Sequence, residues 1–66
     1  MTEELDKVAD EYLDRFKASD LVLVKINDEK YPVSTLKRVL LARIKERGLT
    51  GLTSYIFLNE LFIEKV

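Results

Sequence analysis

The sequence has no cysteine, no histidine and no tryptophan, and only one proline and two glycines among 66 residues. Without cysteine there is no disulfide, and without cysteine or histidine there is no structural zinc, so the usual reinforcements of a very small fold are excluded. Oligomerisation is the reinforcement left. The same absences narrow the chemistry: the commonest acid–base group, the thiolate nucleophile and the softer metal ligands are gone, leaving carboxylates, lysines, tyrosines and hydroxyls.

Long apolar runs are also missing. Stretches such as Leu21-Val22-Leu23-Val24 and Tyr55-Ile56-Phe57-Leu58 fall far short of the roughly 20 residues that cross a bilayer. The acidic start Met1-Thr2-Glu3-Glu4 lacks the basic and apolar regions of a signal peptide, and the absence of cysteine fits a reducing compartment. A cytoplasmic location with no membrane association is expected.

What is present favours folding. Apolar residues make up 47% of the chain and no low-complexity run interrupts it, unlike a sequence too polar to collapse. A chain of this size buries only about 60% of the surface it exposes when unfolded. One small domain over residues 1–66 is therefore expected.

The clearest pattern is Leu5, Val8, Ala9, Tyr12, Leu13 and Phe16, which share one side of a helix turning about 100° per residue. Thr2 is placed to cap it, Glu3, Glu4 and Asp6 suit its positive end, and it is expected to run to about Lys17. After Ser19-Asp20, residues 21–26 are branched and apolar enough for a central strand, partly covered on both faces. Asn27-Asp28-Glu29-Lys30 reads as a tight polar loop returning through Tyr31-Pro32-Val33, a short edge strand because proline gives no N–H to a ladder.

Ser34 as a cap, helix formers over residues 36–47 and Gly48 as a left-handed stop predict a second helix. The final segment, residues 54–66, fits a helical wheel poorly because Phe57 and Leu61 point away from Tyr55, Phe62 and Val66. Two strands hinged at Asn59-Glu60 accommodate it better. The expected fold is α+β: two helices on one face of a small, mostly antiparallel sheet, in the order helix, strand, strand, helix, strand, strand.

Candidate chemistry is sparse. Asp6, Asp10 and Asp14 descend one flank of the first helix, but a straight helical stripe does not converge the six or more oxygens of a hard-cation site, and solvation is its expected role. Ser19, Ser34 and Ser54 stand where caps and turns belong, with no neighbouring base. Gly48-Leu49-Thr50-Gly51 has the bare form of a backbone-clamping loop without its positive charge. A recognition helix over residues 55–62 would offer base edges little besides Asn59. No catalytic residue, cofactor site or metal site is expected.

Charge is unevenly distributed. Residues 1–19 hold six carboxylates against three cations, net −3, and residues 34–48 five cations against one carboxylate, net +4, although the whole chain is only −1. Lys37, Arg38, Arg43, Lys45 and Arg47 could attract a phosphate backbone, yet they do not share a face of the helix. The preferred expectation is that the acidic and basic helices complement each other within the fold or across a dimer.

The resulting functional expectation is a non-catalytic protein-binding module, such as a small regulator, inhibitor or assembly component, acting as a homodimer. Val39, Leu41, Tyr55, Phe57 and Phe62 are the expected interface, being apolar side chains in excess of what one buried face needs. An exposed strand edge, either of the final hairpin or of Tyr31-Pro32-Val33, is expected to pair with its symmetry mate. Nucleic-acid binding by the basic helix is the alternative.

Overall fold

The computed structural model describes residues 3–66. The elements are α1 (Glu3–Ala18), β1 (Leu23–Ile26), α2 (Val33–Glu46), β2 (Leu52–Phe57) and β3 (Glu60–Lys65). The fold is α+β, with both helices on one side of a three-stranded antiparallel sheet ordered β1-β3-β2.

The helical periodicity of α1 sends Ala9, Leu13 and Phe16 into the core, with Leu5, Val8 and Tyr12 packed around them. Thr2, the expected cap, lies outside the described residues. Ser19 ends the helix, its N–H and its hydroxyl both donating to the Phe16 carbonyl, at 3.1 and 2.9 Å. That local bonding offers the backbone an alternative to another helical turn.

The expected strand at Tyr31-Pro32-Val33 is not formed, so the chain has one strand fewer than the pattern suggested. Asp28 turns the loop by accepting the Lys30 N–H at 2.8 Å. Pro32 then sits at the N-cap of α2 with φ −61° and ψ 145°. Its missing N–H costs nothing there, and its carbonyl accepts the Leu36 N–H at 3.0 Å, opening the helix. Ser34 accordingly lies inside α2 and is not its cap.

The end of α2 follows the sequence closely. Gly48 has φ +63°, its N–H bonds the Lys45 carbonyl at 3.2 Å and the Leu49 N–H bonds the Ile44 carbonyl at 3.0 Å. This pair of bonds is the Schellman motif, which needs a left-handed residue and therefore favours glycine.

The final segment is a hairpin, as its two-faced apolar pattern indicated, but the turn lies one residue earlier than Asn59-Glu60. Phe57 pairs with Glu60, leaving Leu58 and Asn59 as a two-residue loop with φ values of 52° and 63°. Positive φ at both positions gives the turn a twist that matches the strands.

The register decides the layers. Ser54 pairs with Ile63, and Ile56 and Ile26 flank Leu61 from the two sides, so these side chains face the helices. They meet Leu36, Val39 and Leu40 of α2 and the apolar stripe of α1 in one buried cluster. Ser54 is the one buried polar side chain of the described residues, and it donates to the Phe62 carbonyl at 2.9 Å. No described helix is long and apolar enough to cross a membrane.

Candidate interaction surface

Opposite charge clamps the two helices together. Asp10 of α1 receives Arg43 at 3.0 Å and Arg47 at 3.3 Å, and Asp14 receives Arg47 at 2.8 Å. Arg43 also reaches Glu46 at 2.6 Å. The hydrogen bond from Arg43 holds the Asp10 carboxyl below the ordinary carboxylate range, with both arginines adding attraction. Two of the three aspartates in the α1 stripe are thus engaged by arginines.

A second polar cluster ties the β1–α2 loop to α1. The Tyr12 hydroxyl donates to Asp28 at 2.8 Å, and Lys30 pairs with Glu4 at 2.6 Å. Burial, reinforced by the bond to Asp28, pushes the Tyr12 phenol up to about 12. The same bond holds the Asp28 carboxyl down.

These contacts redistribute the residues singled out from sequence. Arg43 and Arg47 serve the helix pair, while Arg38 and Lys45 are exposed and Lys37 is half-buried. The five cations do not form one surface. Val39, expected at an interface, is 1% exposed and belongs to the core; helix α2 is rotated so that Val39, Leu36 and Leu40 are all buried between α1 and the sheet. Leu41 is exposed on α2, on the far side of the fold from the other three interface candidates.

Those three, Tyr55, Phe57 and Phe62, come together. Because Ser54, Ile56, Leu61 and Ile63 point toward the helices, strand alternation turns Tyr55, Phe57 and Phe62 to the opposite face of the sheet. Tyr55 and Phe62 stack with centroids 5.7 Å apart and planes at 26°. Phe57 is 60% exposed near the hairpin end.

Neighbouring strands complete the face. Lys25 lies beside Phe62 and Leu23 beside Glu64 in the register of β1 and β3, and Lys25 reaches Glu60 at 3.6 Å. The surface is therefore an aromatic patch with Leu23 at one border and Lys25, Glu60 and Glu64 set among it. No described element covers it, since both helices lie on the other side.

Sequence reasoning missed the contribution of β1. Leu21, Val22 and Leu23 are 54%, 61% and 45% exposed, although their apolar character suggested a central strand. The strand is instead at the sheet's edge, and the central place belongs to β3. The legible signal for the open face was the alternation of Leu61 and Ile63 with Phe62 and Glu64.

Compared with known proteins, the chain matches no family model, no curated protein and no solved structure.

Proposed function

We propose that the chain is a non-catalytic protein-binding module, a small regulator, inhibitor or assembly component acting as a homodimer, whose contact surface is the uncovered sheet face around Tyr55, Phe57 and Phe62. One observation carries this reading: the helices occupy one side of the sheet and three aromatic side chains lie together on the other, uncovered. Aromatic side chains rimmed by charge are what protein interfaces enrich.

The same face disfavours a polyanion. Glu60 and Glu64 stand among the aromatics and Lys25 is paired with Glu60, so a phosphate backbone would meet net repulsion. Binding through the basic helix is weakened because Arg43 and Arg47 are committed to Asp10 and Asp14. A low-salt titration with duplex and single-stranded DNA is expected to give no salt-sensitive binding.

The test of the face is a photoreactive phenylalanine analogue at position 57 in cells of the native source, with the same analogue at exposed Arg38 as control. A discrete protein adduct is expected at 57 and not at 38, lost in the Tyr55→Ser/Phe62→Ser double variant. Equal labelling at both positions, or an adduct indifferent to the double variant, would refute the proposal.

A further inference from the structure

We infer that the free edge of β1 is the homodimer contact: a second copy of this chain adds its own β1 antiparallel, with the two-fold axis beside Leu23. The inference rests on the homodimeric part of the reading above and assigns it to a different surface from the aromatic face.

The Val22 carbonyl accepts the Lys65 N–H at 2.8 Å, so the antiparallel alternation turns Val22, Val24 and Ile26 toward β3. The N–H and C=O groups of Leu23 and Lys25 are left at the open edge. Natural sheets blunt such edges with proline, bulges or charge. Residues 21–26 contain no proline and one charge, Lys25, and their first three side chains are exposed leucine, valine and leucine.

Space is open beside the edge. Helix α1 packs on α2 and leaves a groove of about 390 Å³ along β1, bordered by Tyr12, Arg15, Phe16, Leu21, Val24 and Ile26. A strand added at this edge would turn alternate side chains into that groove, beneath α1. The basic side chains at its rim are already answered, Arg15 by Glu11 at 2.6 Å and Lys25 by Glu60 at 3.6 Å. The groove thus asks for an apolar strand and not an acidic one, and Leu21-Val22-Leu23-Val24 is such a strand.

Charge then disfavours two neighbouring registers. With the axis at Lys25, the two lysines would oppose each other, and with the axis at Val24, Asp20 would oppose Asp28 of the second copy. With the axis at Leu23, Leu23 pairs with itself, Val22 with Val24, Leu21 with Lys25 and Asp20 with Ile26. No like charges are opposed in that arrangement, and Lys25 of each copy lies beside the uncharged Leu21 of the other. It also covers all three exposed apolar residues of the edge and joins the two sheets into one of six strands.

The native absence of cysteine makes the register directly readable. In the wild-type chain, sedimentation from about 1 to about 100 µM is expected to show a dimer that dissociates on dilution. Leu23→Cys is expected to form a covalent dimer under mild oxidation, because directly opposed residues lie about 5.5 Å apart at Cα, within disulfide reach. Lys25→Cys is not, since its copies would be four residues out of step, roughly 14 Å apart.

Leu23→Pro removes only an outward-facing N–H, and Leu23→Lys keeps it while placing like charges on the axis. Both are expected to be monomers with unchanged circular dichroism. A wild-type chain that stays monomeric throughout, preferential cross-linking at Lys25→Cys, or a dimer that survives in folded Leu23 variants would overturn the inference. If Tyr55→Ser/Phe62→Ser dissolves the dimer while Leu23→Lys does not, the edge is wrong and the aromatic face right. The adduct at position 57 reports on that face whichever way the edge is decided.

Discussion

Arg43 of α2 grips Asp10 of α1 with two parallel bonds, Nε to Oδ1 at 3.0 Å and Nη2 to Oδ2 at 3.2 Å. This fork-to-carboxylate geometry joins two helices whose charges were already of opposite sign in the sequence. A lysine cannot reproduce it, because an ammonium group is a point charge without the planar pair of donors. Arg43→Lys is therefore expected to lower the thermal midpoint, and Asp10→Asn to cost about 1 kcal/mol, a modest figure because roughly a third of that side chain remains exposed. Thermal unfolding of the two variants checks both.

Acid stability follows from the same contact. Arg43 depresses the Asp10 carboxyl in the folded chain, and Tyr12 and Lys30 do likewise for Asp28 and Glu4. A depressed folded value stabilises above the unfolded value, about 4 for a carboxylate, and that stabilisation disappears as pH falls through the folded value. Stability should decline from about pH 5 downward, more steeply in the wild type than in Asp10→Asn. Urea midpoints measured across acid pH give the slope, and parallel slopes would contradict this origin.

At the alkaline end the sign reverses. Tyr12 titrates at about 12 in the folded chain and near 10 when unfolded. Between those values the unfolded state has released a proton that the folded state retains, so stability falls as pH rises. Tyr12→Phe is expected to flatten that limb of the stability profile, leaving the part due to Lys30, which Glu4 holds protonated in the folded chain, and to remove the highest-pH component of the ultraviolet tyrosinate titration.

The hairpin carries a correctable strain. Leu58 holds a left-handed backbone, φ 52°, while 79% exposed, so its side chain gains little from burial. Leu58→Asn, or Asn59→Gly beside it, should stabilise by about 0.5–1 kcal/mol, since asparagine and glycine tolerate this conformation. A higher denaturant midpoint with unchanged slope is the expected readout.

Core and surface apolar residues should respond in opposite ways. Leu40 and Leu61 are fully buried, and truncating either to alanine costs about 2–5 kcal/mol. A core of this size supplies only about 3–5 kcal/mol, so Leu61→Ala should leave much of the chain unfolded. Phe57→Ser, on the uncovered face, is expected to keep the fold's thermal midpoint within a few degrees and to change association instead.

Local order was legible because it is set by neighbours along the chain. The apolar stripe of α1, the glycine stop of α2 and the two-strand character of residues 54–66 each follow from periodicity or from one residue's backbone freedom. The candidate surface was half legible: Tyr55, Phe57 and Phe62 were named as surplus apolar residues, but Val39 was grouped with them because a helical wheel does not say how far a sheet will cover it. Tyr31-Pro32-Val33 misled because proline is equally at home on an edge strand and at a helix start, and the Asp28 turn, with the Tyr12 bond to the same carboxylate, favours the second.

By itself the sequence determined the class of the fold, the opposite charges of its helices and the absence of histidine and cysteine. Only the tertiary structure decided that β3 runs between β1 and β2, that β1 is an edge, and that Asp10 and Asp14 meet Arg43 and Arg47. The reason is physical: strand order and helix pairing are settled by contacts between residues tens of positions apart, and an apolar strand reads the same whether a neighbour lies on one side of it or both.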